Sequence, residues 1–222
     1  PVTGLPFYQL DDVSAYANYP VLVLADMEMM SDAGLRNVHS YVNSGGGLYI
    51  DYNPASLDER RTARVGGLLG ELFDLHPHNP TKVQALRRHR FEGSITGGVP
   101  ETYDVYMSPS GRAPAGFPMP PSALQPAFFG NVIPGSSWTV VSTLNPTDDH
   151  SPLFPALAAK TIGAGRVIFS TVAWGRQYNE RRDPTLARWL HELVSWLGRR
   201  PLPVTVQAPR LLQLGLTRVG DG

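Results

Sequence analysis

The stretch YPVLVLADMEMMSDAGLRNVHSYVNSGGGLYIDYNP, residues 19–54, decides the fold. It contains a continuous apolar run at residues 21–26, which is typical of a parallel strand buried on both faces. Ser31 is a suitable N-cap for a helix that ends at Gly45–Gly47, and residues 48–51 form the next strand. This strand–helix–strand unit predicts a parallel pair joined by a right-handed crossover.

Further elements are predicted on both sides of this unit from apolar spacing and turn residues. They are a short strand at 5–10, a weaker helix at 58–73, strands at 137–144 and 163–172, and a helix at 183–200 that Asp183 caps. Residues 76–137 are rich in Pro, Gly and Ser, which predicts either an insertion with its own short strands or a mobile surface loop. The tail 201–222 alternates in polarity and predicts one or two strands that leave the domain.

Composition excludes several classes of function. The 222 residues carry a formal net charge of zero, whereas nucleic-acid-binding domains usually have a basic excess. The sequence has no cysteine, so disulfides, thiolate metal sites and a cysteine nucleophile are all excluded. No apolar run reaches the ~20 residues that span a bilayer, and no signal peptide is evident. We therefore predict no nucleic-acid or membrane partner, and a cytoplasmic location.

The three consecutive glycines, Gly45–Gly47, resemble a phosphate-binding loop only superficially. Phosphate loops follow a strand and open a helix, whereas these glycines follow a helix and open a strand. The end of the helix that faces them carries the negative end of the helix dipole, which repels phosphate. We interpret the run as a helix stop, and no cofactor is predicted.

Carboxylates follow two neighbouring strands of the predicted sheet. Asp26 and Glu28 follow the first strand, and Asp51, Tyr52 and Asn53 lie at the end of the next. Open α/β sheets bind ligands beyond the carboxyl ends of their strands. The carboxylates could form a glycosidase pair or a divalent-ion site, but Asp and Asn are also ordinary turn residues. We favour the interpretation that they are ordinary turn residues, and we assign no catalytic residue.

Other reactive side chains give weaker patterns. Ser56 with His150 or His191 would need a nucleophile elbow that the sequence lacks. The two histidines of HPHNP, residues 76–80, have no third metal ligand at a telling distance, so no metal site is predicted. Residues 171–182, TVAWGRQYNERR, carry aromatic side chains beside arginine, which suits sugar stacking, a protein interface or a loop held on the domain. The candidates in this segment are Trp174, Arg176 and Tyr178.

Three segments together resemble a known family. They are YPVLVLAD, MSDAGLRNVHSYVNSGGGLYI and the late GAGRVIFSTVAWGRQY with its closing helix. The sequence resembles the glutamine-amidotransferase-like domain, and more narrowly the β-galactosidase trimerisation domain, an accessory domain of family-42-like glycoside hydrolases. The resemblance covers about residues 5–200 and implies a flavodoxin-like three-layer α/β sandwich with a mostly parallel sheet, a long irregular insertion at 76–137 and a C-terminal β tail.

The sequence also departs from this family. The usual first strand and helix would precede residue 5, which suggests a fragment. The amidotransferase nucleophile would lie near Asp51–Asn53, where there is no cysteine, and its late histidine would lie in residues 171–180, where there is none. Without a nucleophile and its base, amidotransferase chemistry is not expected.

The resemblance implies a non-catalytic accessory and oligomerisation domain, at residues 1–200, of a β-galactosidase-like protein. Residues 201–222 would link it to a β-sandwich, and a catalytic barrel would precede it. A homo-oligomer is expected, with carbohydrate as a candidate ligand. The alternatives are a carbohydrate hydrolase that uses the strand-end carboxylates and a sugar-binding module. The residues expected to line a pocket or an interface are Asp26, Glu28, Asp51, Tyr52, Asn53, Trp174, Arg176 and Tyr178.

Overall fold

The computed structural model describes residues 7–62, 67–77, 106–122, 124, 126, 130, 132–145 and 154–198. Its strands are β1 (Val21–Leu24), β2 (Gly47–Asp51), β3 (Leu75–Pro77), β4 (Tyr106–Pro109), β5 (Val132–Pro134), β6 (Thr139–Asn145), β7 (Phe154–Ile162) and β8 (Gly165–Ser170). Its α-helices are α1 (Asp32–Asn43), α2 (Leu68–Phe73), α3 (Trp174–Arg181) and α4 (Pro184–Gly198). Two 3₁₀ helices, Phe7–Asp11 and Val13–Ala15, precede β1.

Six of these strands form one central sheet in the order β1-β2-β8-β7-β6-β4. The pairs β1–β2 and β2–β8 are parallel, and the three remaining pairs are antiparallel. Four of the six strands therefore run in the same direction. Strands β3 and β5 form a separate antiparallel pair. The predicted α/β class is confirmed: a mixed central sheet is flanked by helices.

The helices cover both faces of the sheet and create two hydrophobic cores. Side chains of β2 alternate between them, because successive residues of a strand point to opposite faces. Leu48 and Ile50 pack in the core that holds α1 and α2, whereas Tyr49 packs in the core that holds α3 and α4. By the same alternation, Asp51 points to the face that α3 covers. The alternation of side chains along β2 therefore directs its last side chain, that of Asp51, towards α3.

The β1–α1–β2 unit matches its prediction. The backbone N–H of Gly34 donates to Oγ of Ser31 (2.9 Å), as expected for an N-cap. The helix ends at Asn43 with Ser44 as its C-cap, and Gly45 follows with φ of +116°, a value that glycine adopts without steric cost. Helix α4 also begins as predicted, because the backbone N–H of Thr185 donates to Oδ1 of Asp183 (2.7 Å).

Two predicted elements are wrong in part, and one strand was not predicted. Residues 7–10 of the predicted strand belong to a 3₁₀ helix that packs on α1, where Asn37 donates to the backbone oxygen of Asp11 (2.8 Å). Within the predicted helix at 58–73, residues 68–73 are helical, whereas Asp58 accepts hydrogen bonds from the N–H groups of Arg60 and Thr62 and forms a turn. Strand β7 was missed, since its three alanines and one proline weaken the strand pattern.

The described part of the 76–137 segment contains short strands, and β4 completes the central sheet. Residues 110–122 contain no helix or strand, yet the indole groups of two tryptophans in α4 hold them in place. Nε1 of Trp189 donates to the backbone oxygen of Pro118 (3.0 Å), and Nε1 of Trp196 donates to that of Ala115 (3.3 Å). The ring of Phe117 also packs edge-on against Trp196, with centroids 5.0 Å apart. This part of the segment is therefore fastened to the domain. The tail 201–222 lies outside the described residues.

Candidate functional site

The candidate site is a surface cleft at the carboxyl ends of β1 and β2, where α3 begins. It has a volume of about 390 Å³. Three segments supply its walls: the loop after β1, the turn after β2 and the first turn of α3. The lining residues are Asp26, Met27, Glu28, Met29, Tyr52 and Arg176.

The two strand-end loops are bonded to each other along their length. The backbone N–H of Ala55 donates to the oxygen of Met27 (2.9 Å), and that of Leu57 donates to the oxygen of Glu28 (2.9 Å). Met29 and Leu57 form an isolated parallel bridge. This pairing continues the β1–β2 ladder beyond the regular sheet. It therefore gives the wall that carries Glu28 a fixed backbone.

Asp51 lies beneath the cleft and joins its three walls. Its side chain is fully buried, with 0% relative exposure. Oδ1 accepts from the backbone N–H of Asp26 (2.7 Å), in the loop after β1. Oδ2 accepts from the hydroxyl of Tyr49 (3.1 Å) and from the backbone N–H of Gly175 (3.4 Å), in α3. We call this carboxyl and its three hydrogen bonds the Asp51 tie.

Burial dominates the electrostatics of the tie. Loss of hydration raises the pKa of Asp51 to about 6, although the hydrogen bonds from Asp26, Gly175 and Tyr49 act in the opposite direction. Burial and the adjacent carboxylate also raise the pKa of Tyr49 well above its ordinary value. The Tyr49 hydroxyl therefore stays protonated throughout the physiological pH range and donates a hydrogen bond to Asp51. All functional groups of the tie are directed inward, so Asp51 does not reach a ligand in the cleft.

Asp26 and Glu28 present the carboxylates of the cleft. Asp26 is exposed and adopts a left-handed backbone conformation, with φ of 55°, which is uncommon for a residue with a side chain. Partial burial and the charge of Glu28 raise the pKa of Asp26, while Arg176 lowers it. Glu28 is half-buried, and Oε1 accepts from Nδ2 of Asn53 (3.3 Å). Two carboxylates and one guanidinium therefore face this cleft.

Helix α3 reaches the strand ends because its second residue is glycine. A Cβ at Gly175 would lie 2.8 Å from Cβ of Ala25, which is closer than side-chain carbons approach. The bare Cα lets the backbone N–H point at Asp51 and brings Arg176 to the cleft. Nε of Arg176 also contacts Oε1 of Glu180 (3.3 Å), one helical turn later.

The structure separates the predicted site residues into three groups. Asp26, Glu28, Tyr52 and Arg176 line the cleft, and Asn53 and Asp51 support it from behind and below. Trp174 and Tyr178 do not line it. Trp174 is fully buried and packs edge-on against Trp189 (5.2 Å), and Tyr178 is half-buried against the same core. A ring at 0% exposure has no face available for stacking on a sugar.

Sequence reasoning missed Tyr49, Gly175 and two methionines of the cleft wall. Met27 and Met29 alternate with the two carboxylates in the sequence, which was a readable sign of a mixed apolar and acidic surface. Tyr49 precedes Asp51 by two residues and so shares its face of the strand. For Gly175 the sequence carried no sign, because its role depends on contact with a distant strand end.

The other reactive residues do not assemble around the cleft. Ser56 is half-buried in the turn after β2, and His191 is exposed on α4. His76 contacts Asp74 (2.7 Å) in a polar cluster with Ser137, far along the chain from the strand ends. His78 and His150 lie outside the described residues. Within the described ranges, no group of three or more His, Cys, Asp or Glu side chains could hold a metal ion.

No family model matches the sequence. No curated protein matches it either. Two solved cytoplasmic proteins of Salmonella typhimurium share the fold: one is 12% identical with a TM-score of 0.53, and the other is 14% identical with a TM-score of 0.52. The alignments cover 89% and 90% of this chain, and 81% and 80% of those chains. At these identities the likeness shows the fold alone.

A catalytic mutant of a GH42 β-galactosidase from G. stearothermophilus is also similar, at 16% identity and a TM-score of 0.46. The alignment covers 75% of this chain and 21% of that one. This chain therefore spans about a fifth of the length of that enzyme. In the part of the chain that the structure describes, each helix is too short or too polar to cross a bilayer.

Proposed function

We propose that this chain is a non-catalytic accessory and oligomerisation domain of a glycoside hydrolase-like protein. The observation that carries the proposal is the Asp51 tie. In the amidotransferase family that the sequence resembles, the reactive residue follows this strand. Here the strand ends in a buried carboxyl whose oxygens accept hydrogen bonds from other groups of the protein. In this α/β fold, the strand end holds three elements together instead of presenting a nucleophile.

The edge of the central sheet supports a packing role. Strand β1 is the outermost strand on its side of the described sheet, and Val23 is 48% exposed there. The apolar sequence of β1 is typical of a strand buried on both faces, and such a strand is more stable when another surface covers it. A neighbouring domain or a second subunit would supply that surface, in keeping with the resemblance to the trimerisation domain.

Two measurements test the proposal. Light scattering of the purified chain over a range of concentrations should detect an oligomer, and a monomer at high concentration would contradict the oligomerisation role. Incubation with chromogenic aryl β-glycosides should release no product above the buffer blank. Turnover that Glu28→Gln abolishes and the distant Glu192→Gln preserves would contradict the non-catalytic role.

A second candidate function is carbohydrate hydrolysis in the cleft. Asp26 and Glu28 both face the cleft, and the raised pKa of Asp26 favours a proton donor, which hydrolysis of a glycosidic bond requires. The same assay separates the two functions, because hydrolysis by this pair would be lost in both Asp26→Asn and Glu28→Gln.

A further inference from the structure

We propose that two copies of this chain join through the open edge of β1, each strand pairing antiparallel with its counterpart about a two-fold axis at Val23. The inference rests on the proposed oligomerisation role and deepens it, because it names the partner as the same strand of a second copy. Three observations support it: the direction of the backbone groups of β1, the absence of edge-protecting residues in its sequence, and the complementarity of the edge to itself.

The hydrogen bonds of β1 show which of its backbone groups point outward. The backbone oxygen of Pro20 accepts from the N–H of Gly47, the first residue of β2 (2.9 Å). Beyond the other end of β1, the N–H of Asp26 donates to the carboxyl of the last residue of β2 (2.7 Å). Because backbone groups alternate in direction along a parallel strand, the even-numbered residues bond to β2. The N–H and C=O groups of Val21 and Val23 therefore point to the open side.

The open side of β1 has no partner within the described part of the chain. Among those residues, only β2 pairs with the backbone of Val21 and Val23. A Cβ at Gly198 of α4 would lie 3.4 Å from Val21, and one at Gly175 of α3 would lie 2.8 Å from Ala25. The two helices thus cover the residues on either side of Val23, whereas Val23 itself is 48% exposed. A gap at the middle of the strand is therefore open to another chain.

The sequence of β1 lacks the features that keep edge strands from pairing. Natural edge strands carry lysine, proline, inward-pointing charges or bulges. The residues VLVLA, 21–25, contain no charge and no proline, and the ladder with β2 has a regular register. The opposite edge differs, because β4 ends in Pro109, which has no N–H to donate. Of the two outer strands of the described sheet, β1 is therefore the one suited to pairing.

The edge is complementary to a second copy of itself. In an antiparallel pair, opposite residues exchange two hydrogen bonds when the backbone groups of both point at the partner strand. A two-fold axis at Val23 meets this condition, because Val23 then lies opposite Val23 of the partner subunit, with Cα atoms about 5.5 Å apart. The two exposed side chains would lie on the same face and cover each other. Such an isologous contact closes after two copies, so a dimer is expected, whereas the trimerisation domain that the sequence resembles implies three copies.

Cysteine cross-linking tests the pairing directly, because the chain has no cysteine of its own. In Val23→Cys the two thiols would meet at the two-fold axis, where a short bismaleimide can join them. Met119→Cys is the matched control, since this apolar side chain is also exposed (38%) but lies in the segment that follows β4, the strand at the opposite edge. We expect at least about tenfold more covalent dimer from Val23→Cys than from Met119→Cys.

Hydrogen exchange of the unmodified chain gives a second test that needs no substitution. The amides of Val21 and Val23 should exchange slowly in concentrated solution and about tenfold faster after dilution, because their N–H groups are bonded only in the dimer. The amides of Leu22 and Leu24, which point to β2, should keep their protection at both concentrations. They are internal controls within the same strand.

The outcomes separate this inference from the proposed function. A dimer in which Val23→Cys cross-links and Val23 gains protection would support both. A trimer, or a dimer in which the amide of Val23 stays unprotected, would overturn the β1 pairing and leave the oligomerisation role standing. A monomer at every concentration would overturn both. If Val23→Cys does not fold, the exchange of the unmodified chain decides the matter.

Discussion

At the scale of single residues, the strand-end edge depends on one buried carboxyl and one glycine. Asp51 supplies acceptors for two partly buried backbone N–H groups, and a buried polar group left without a partner costs about 1–3 kcal/mol. Gly175 supplies the space that lets α3 approach. Neither residue lines the cleft, yet both hold the backbone that carries Asp26 and Arg176.

The pH dependence of stability should reveal the ionisation of Asp51. Its folded pKa, about 6, lies above its ordinary value of 3.8. The group therefore contributes stability that is fully present below pH 3.8 and is lost as the pH rises through 6. Denaturant unfolding at pH 4 and pH 7 should show that Asp51→Asn becomes more favourable, relative to the unmodified chain, by on the order of 3 kcal/mol at the higher pH. An equal difference at both pH values would contradict this prediction.

Gly175→Ala should destabilise the domain by about 1–3 kcal/mol, because the added methyl group would overlap the side chain of Ala25 and push α3 away from Asp51. Urea unfolding measures the effect. Gly198→Ala is a matched control at the end of α4, where the nearest atom to the added carbon, Cγ2 of Val21, lies 3.4 Å away. Equal losses in both variants would show that close packing at Gly175 is not the cause.

At the scale of elements, the β1–α1–β2 unit, β8 and α4 form as local patterns predict, while a segment without regular structure is held by side chains of another element. Residues 110–122 are rich in proline and glycine, and they resemble a mobile loop when considered alone. Two indole N–H groups of α4 and the ring of Phe117 hold them against the domain. The conformation of residues 110–122 therefore depends on side chains of α4 and not on their own sequence pattern.

Trp189→Phe should detach residues 110–122 while leaving the fold intact. The change removes the N–H that bonds to Pro118, which we expect to cost about 1–2 kcal/mol. Limited trypsin digestion followed by mass spectrometry should show faster cleavage after the exposed Arg112. Trp138→Phe is the control, because its indole N–H bonds to Phe73 instead and its loss should destabilise without exposing Arg112.

At the scale of the whole molecule, the sheet has two unlike edges. Strand β4 is the outermost strand on one side of the described sheet, and β1 is outermost on the other. The run VLVLAD predicts a strand that is covered on both faces, yet Val23 is 48% exposed. This mismatch between the sequence of β1 and its surroundings is what an interface with another domain or subunit would resolve.

Val23→Lys should reduce self-association without destabilising the domain. A charge at an exposed edge position alters stability by about 0.5 kcal/mol or less, but it opposes pairing with another apolar surface. Size-exclusion chromatography with light scattering should show a shift to smaller species, and thermal unfolding should be unchanged. Glu192→Lys, on the exposed face of α4, is the control. An oligomer that Val23→Lys leaves intact would place the interface elsewhere.

The sequence by itself determined the α/β class, the β1–α1–β2 unit with its Ser31 cap, the late β8 strand and the capped α4 helix. These features depend on periodicity and capping, which act within a few residues of the chain. It also brought Asp26, Glu28, Tyr52 and Arg176 into consideration together, because residues that follow parallel strands meet at one edge of the sheet.

Only the tertiary structure decided which of those side chains face solvent. Asp51 and Trp174 read as site residues in the sequence, but the helices that cover the sheet bury both. Strand β7 and the 3₁₀ helix at Phe7–Asp11 likewise depend on the elements that pack beside them. Burial, pKa and access to a ligand are set by neighbours that are distant along the chain, and local patterns carry no information about those neighbours.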